Sequence, residues 1–295
     1  MPLHYTQTPV TELQNLAIQK AGIRLLIKRE DLNHPFVSGN KWWKLKYNLE
    51  AAQQQGHQTL LTFGGAYSNH IYATAAAAHE LGLKSIGIIR GEETIPLNPT
   101  LAFAKDQGME LRYLSRTAYR SKHESEFINQ LKDRYGDFYL IPEGGTNQLA
   151  IKGVAELARQ LQTEVEFDYL CAAVGTGGTV AGLAEGLDKS KEIIGFPVLK
   201  NALFLEAEIR KYTTKQNWKL NYDYHFGGYA KTSPELMTFL QAFENEHGIL
   251  LDPVYTARLM YGVFDWIERQ GFPPSTTILV LHTGGLQGRA GFHIT

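Results

Sequence analysis

Short apolar, often β-branched runs alternate with stretches of helical periodicity along most of this chain, and glycine-rich turns join the two. That alternation is the strongest constraint on the fold. Strands that are apolar on both faces must be covered on both, which calls for mainly parallel sheet flanked by helices, an α/β architecture. Thr59 to Phe63, Ser85 to Ile89, Phe138 to Ile141, Tyr169 to Val174 and Thr277 to Leu281 read as strands. Lys41 to Gln53 reads as a helix with Trp42, Leu45, Leu49 and Ala52 on one face. Alanine-rich Asn69 to Leu81 and amphipathic Gln148 to Gln160 are the next helices, whereas Lys189 to Leu220 is the least periodic segment and yields no traceable element. In sheets of this kind ligands bind outside the carboxyl ends of the strands, so the strand-to-helix turns are where chemistry is expected.

Composition narrows the partners. A chain of 295 residues accommodates one core or two closely associated ones. Its 29 Lys and Arg against 30 Asp and Glu leave a net charge of −1, which argues against nucleic acid but leaves room for a local anion site. The single cysteine, Cys171, excludes a disulfide framework and fits a reducing compartment. No histidine stands in a metal-ligand spacing, so no metal is expected. No apolar run approaches the ~18 residues of a membrane span. The first residues have neither a basic start nor an apolar core, and a cytoplasmic protein without membrane contact is expected.

Five turns could carry chemistry. Gly175-Thr176-Gly177-Gly178-Thr179 follows one strand and opens a helix. Converging backbone N–H groups and the helix N-terminus suit a phosphate there. No Gly-Lys-Ser/Thr follows, and Val180 stands where a dinucleotide fingerprint needs glycine. A plain tight turn is the alternative. In Gly64-Gly65-Ala66-Tyr67-Ser68-Asn69-His70, Ser68 and Asn69 sit at a helix N-cap, which capping alone would explain. Lys41 opens a helix whose dipole disfavours a cation; the pKa is expected to fall and a reactive amine to result, although a lone lysine would simply be solvated. A covalently bound, phosphate-bearing aldehyde cofactor uses all three. Leu251-Asp252-Pro253-Val254-Tyr255-Thr256 places Pro253 at a helix start, with Tyr255 as an acid/base and Thr256 as a neutral hydrogen-bond partner. His282-Thr283-Gly284-Gly285 is a further glycine turn after the last strand.

In this order, and together with Lys28-Arg29-Glu30-Asp31 and Glu143-Gly144-Gly145, these stretches resemble the fold-type II pyridoxal-phosphate enzymes, which are similar to the tryptophan synthase β-subunit. More narrowly they resemble the family of 1-aminocyclopropane-1-carboxylate (ACC) deaminase and D-cysteine desulfhydrase, from about residue 7 almost to the C-terminus. The resemblance implies two open, twisted, mainly parallel sheets flanked by helices. Residues 1–43 plus 149–295 would form a large cofactor-binding domain, residues 44–148 a small inserted α/β domain, and the protein a homodimer. It implies pyridoxal 5'-phosphate as cofactor, covalently held by Lys41, which would also move a proton at the α- or β-carbon of a small amino acid. Asn69 would hydrogen-bond the cofactor's phenolic oxygen and Ser68 would contact the substrate as carboxylate partner or nucleophile. Gly175, Thr176, Gly177, Gly178 and Thr179 would hold the phosphate with help from Lys44. Tyr255 and Tyr229, the latter in Phe226-Gly227-Gly228-Tyr229, match the family's two active-site tyrosines.

Thr256 carries the discrimination within the family. ACC deaminases resemble this segment but place a glutamate there, facing the pyridine nitrogen; a neutral threonine supports a protonated ring less well. Expelling sulfide needs less carbanion stabilisation than opening a cyclopropane, so Thr256, and His70 where the deaminases tend to carry glutamine, point to β-elimination from D-cysteine. ACC deaminase is the alternative, and a catalytically silent binder of cofactor or amino acid the third reading. The chain departs from the family at Ser38, Trp43, Lys46 and Gln287-Gly288-Arg289.

Overall fold

The structure is a computed structural model that describes residues 3–292 and 294. Its strands are β1 (Val10–Leu13), β2 (Arg24–Lys28), β3 (Thr59–Gly65), β4 (Lys84–Arg90), β5 (Met109–Leu114), β6 (Tyr139–Ile141), β7 (Tyr169–Val174), β8 (Glu192–Pro197), β9 (Trp218–Leu220) and β10 (Thr277–Leu281). They form a six-stranded sheet in the order β1-β2-β10-β7-β8-β9 and a four-stranded sheet in the order β5-β4-β3-β6. Every pairing is parallel except β1 with β2 at one edge. The helices are α1 (Leu16–Ala21), α2 (Asn40–Gln54), α3 (Asn69–Glu80), α4 (Pro99–Asp106), α5 (Ser125–Tyr135), α6 (Gln148–Glu164), α7 (Gly178–Gly186), α8 (Phe204–Arg210), α9 (Pro234–His247) and α10 (Thr256–Glu268).

The five expected strands and three expected helices all form, each shifted by a few residues at most. The Lys189-to-Leu220 segment, which lacks visible periodicity, holds β8, α8 and β9. The central strands explain the apolar runs. Leu26, Ala172, Val174, Leu279 and Leu281 face one hydrophobic cluster. Leu25, Ile27, Cys171, Ala173, Ile278 and Val280 face another on the opposite side. Both faces are therefore buried, with period 2 along each strand. Burying one such side chain contributes about 1.5–3 kcal/mol. Trp42, Leu45, Leu49 and Ala52 of α2 are buried together as their spacing requires. α6 packs against both α2 and α7, and so links the helix bearing Lys41 to the one opened by the Gly175–Thr179 turn.

Two of the departures from the family pattern have local explanations. The Trp43 indole donates to Glu30 Oε2 at 2.6 Å, and Lys46 pairs with Glu156 at 2.7 Å. Among the described residues, no helix is long and apolar enough to cross a membrane, and no group of three or more His, Cys, Asp or Glu could hold a metal ion.

Candidate active site

The carboxyl ends of β3, β6, β7 and β10 lead into the four glycine turns, and these meet around the start of α2. Gly39, with φ 68°, allows the chain to enter that helix. It lies so close to the Thr283 carbonyl that no Cβ fits, and Gly284 is similarly pressed against Ser38. The Lys41 turn is thereby locked to the end of β10. On its other side Asn40 Nδ2 donates to Thr179 Oγ1 at 2.8 Å, which ties it to the start of α7.

Two lysines one helical turn apart have different surroundings. Lys44 is buried, and its Nζ donates to the Gly144 carbonyl at 3.0 Å and to Thr146 Oγ1 at 3.1 Å. Thr146 Oγ1 in turn lies 2.8 Å from Thr176 Oγ1. A Cβ on Gly178 would come within 3.2 Å of Lys44 Nζ and 2.7 Å of Thr146 Oγ1. Burial, and secondarily the Lys41 charge, push the Lys44 ammonium well below the usual lysine range. No carboxylate pairs with it among the described residues. A buried amine beside the unsatisfied first amides of α7 favours an anion at that point, which would in turn stabilise the protonated lysine.

Lys41 is half-buried and makes no hydrogen bond or ion pair among the described residues. Its amine is lowered to about 8, and the cause is burial. The expected helix-dipole cause is thus replaced by desolvation, which penalises the charged form wherever it sits. His70, at the start of α3, is buried with Nε2 2.7 Å from Thr62 Oγ1. Burial and the charges of Lys41 and Lys44 hold its imidazole well below the usual histidine range, hence neutral.

Ser68 is the N-cap of α3, its Oγ accepting from the amides of His70 and Ile71 at 3.2 and 3.3 Å. Capping is therefore one of its duties. Asn69, the next residue, accepts at Oδ1 from Gln287 Nε2 at 2.5 Å. Tyr255 lies against the Gly175–Thr179 turn: a Cβ on Gly175 would be 3.2 Å from its hydroxyl. Its ring meets that of Tyr229 edge-on with centroids 6.2 Å apart. Burial holds both phenols above their ordinary range, Tyr255 the more firmly, with Tyr229 adding to the effect.

The Thr256 segment differs from expectation. α10 begins at Thr256, not at Pro253, because the buried Asp252 carboxylate gathers the amides of Val254, Tyr255 and Thr256 at 2.8–3.0 Å. Thr256 Oγ1 donates to Asp252 Oδ1 at 2.9 Å and accepts from the Asp252 amide at 2.7 Å. Its proton is thus held within the turn. Asp252, Thr146 and Gln287 take part without a role assigned from the sequence, although each had a signal: Asp252 lies inside the Leu251–Thr256 turn, Gln287 in the departing Gln287-Gly288-Arg289, and Thr146 beside Glu143-Gly144-Gly145.

This geometry has a counterpart in known proteins. The sequence matches the pyridoxal-phosphate dependent enzyme family over residues 1–284. The chain belongs to that family. It is 35% identical to a protein of Pyrococcus horikoshii named "Putative 1-aminocyclopropane-1-carboxylate deaminase" over 301 residues, covering 96% of this chain and 90% of the relative. It is 29% identical to a D-cysteine desulfhydrase of Klebsiella pneumoniae over 311 residues, covering 97% and 94%. The crystal structure of an ACC deaminase homologue superposes with a TM-score of 0.83 at 32% identity, covering 97% of this chain and 92% of that one. The protein is a pyridoxal-phosphate-dependent enzyme of the ACC deaminase and D-cysteine desulfhydrase type. The residues present fit such a cofactor: a buried lysine without a carboxylate partner beside a glycine turn suits its phosphate, and an amine that burial makes easier to deprotonate, with no hydrogen-bond partner among the described residues, suits its aldehyde.

Proposed function

We propose that this enzyme eliminates the β-substituent of a small D-amino acid, D-cysteine being the expected substrate, and that the site lies in a cleft between a large domain (1–43 and 149–295) and a small one (44–148). The balanced reaction converts D-cysteine and water to pyruvate, sulfide and ammonia. The cofactor supplies, when bound, an electron sink for negative charge at the substrate's α-carbon. Lys41 holds it and, being poised near neutrality, takes the proton from the α-carbon. The Gly175–Thr179 turn and Lys44 bind its phosphate, and Asn69 its phenolic oxygen. Ser68 orients the substrate carboxylate. Tyr255 stays protonated because it is buried, so it can donate to the leaving sulfur, with Tyr229 beside it.

The observation that carries the choice of reaction is at position 256, where a hydroxyl stands and its proton is engaged by Asp252. No carboxylate side chain at that position favours ring protonation, and departure of sulfide makes the lighter demand on the sink. The names of several relatives favour ACC deaminase as the second reading. The test is release of 2-oxoacid by the cofactor-loaded protein with D-cysteine, L-cysteine, D-serine and ACC in parallel. Pyruvate from D-cysteine without 2-oxobutanoate from ACC supports elimination; 2-oxobutanoate from ACC overturns it. Silence on all four by protein with bound cofactor would favour a binding role.

A further inference from the structure

The segment after the last Gly-Gly turn is where the chain departs from its family, and it touches the site directly. We propose that Gln287 is a positioning residue that fixes the amide of Asn69 and thereby the strength of the hydrogen bond Asn69 offers the cofactor. The inference rests on the assignment of Asn69 to the phenolic oxygen.

An amide side chain has one accepting and one donating end. Gln287 Nε2 donates to Asn69 Oδ1 at 2.5 Å, so Asn69 has only Nδ2 left to give. Gly285 packs so closely on that Nδ2 that a Cβ there would collide with it. The Asn69 backbone is held in the first turn of α3, which leaves the amide confined on both sides. Gln287 is itself held. It belongs to a 3₁₀ helix, Leu286–Phe292, in which the buried Arg289 donates to the Leu251 carbonyl at 2.7 Å and pairs with Glu244 of α9. Gly291 of the same helix lies against the Tyr67 ring, where a Cβ would come within 3.0 Å. The segment therefore anchors on the Leu251–Asp252 turn and reaches the Tyr67–Asn69 turn. A donor pressed onto Oδ1 polarises the amide and stiffens Nδ2–H as a donor. That donor stabilises negative charge on the phenolic oxygen, which lowers the proton affinity of the lysine–cofactor linkage beside it.

The test is a pH titration of the visible absorption of the cofactor-loaded protein. In Gln287→Met, which keeps bulk and loses the donor, the midpoint should rise by about half a unit to one unit. Gln287→Glu should raise it further, because an acceptor-only side chain turns the Asn69 amide over. Gln287→Lys, which retains a donor, should stay near the wild-type midpoint and gives a readout if the other variants lose cofactor. Unchanged midpoints in Gln287→Met and Gln287→Glu, with only a lower melting temperature, would overturn the proposal. Asn69→Ala separates the two levels: a shifted midpoint there without one in the Gln287 variants sinks the inference alone, and no shift in Asn69→Ala sinks the Asn69 assignment.

Discussion

The two ends of the site are built on different principles although one helix supplies a lysine to each. At the proposed phosphate end, Lys44 is buried and hydrogen-bonded, with a carbonyl and a hydroxyl as partners and a glycine turn pressed against it. At the linkage end, three residues earlier, Lys41 has no partner and is only half-buried. Burial lowers both amines; in the proposed assignment, hydrogen bonds make Lys44 a fixed anchor while their lack leaves Lys41 as the nucleophile. The lesson is that pKa depression alone does not distinguish a catalytic lysine from a structural one; the inventory of hydrogen-bond partners does.

The contrast can be broken most severely at Lys41. Lys41→Ala should lower turnover by at least about 10³-fold and leave no cofactor fixed to the protein after borohydride reduction and peptide mapping. If borohydride still fixes the cofactor at the same site, the roles of the two lysines are reversed. Lys44→Met is the complementary cut. Losing a charge-assisted partner of the phosphate should weaken cofactor affinity by about 10–100-fold, measured as a dissociation constant by absorption titration. The same change relieves the desolvation of a buried amine that no carboxylate pairs with, which offsets its two lost hydrogen bonds, so the melting temperature of the cofactor-free protein should not fall. A lower melting temperature would mean that Lys44 stabilises the fold rather than the ligand.

The smallest effect is a pH dependence. Only the unprotonated amine attacks an aldehyde, and Lys41 is held at about 8. The rate of cofactor uptake should therefore climb about tenfold per pH unit below that value and level off above it. An unshifted lysine would keep the rate climbing toward about 10.4. The midpoint should persist in Lys44→Met, since burial and not the Lys44 charge depresses Lys41.

Much of this protein is legible in one dimension because the relevant physics is local. Strands buried on both faces must be continuously apolar, and glycine turns that precede helices advertise anion sites, so five strands, three helices and the Gly175–Thr179 turn follow from the sequence. The resemblance rests on similarly local features, since Lys41, Ser68, Asn69 and Tyr255 each stand where a turn opens a helix. Strands β8 and β9 are not legible in the sequence; β9 has only three residues and is set by pairing with its neighbour β8 more than by its own periodicity. The pKa of Lys41 was expected to fall for the wrong reason: a helix dipole is visible in sequence, whereas desolvation depends on what covers the side chain.

What the sequence determined by itself was the class of fold, the cofactor chemistry its turns can support and the family to which the chain belongs. Tertiary structure alone decided which lysine is partnered, how Asp252 holds the Thr256 proton, and that Gln287 reaches Asn69 across 218 residues of chain. Those are contacts of single atoms between distant segments, and no periodicity or local motif encodes a distance of that kind.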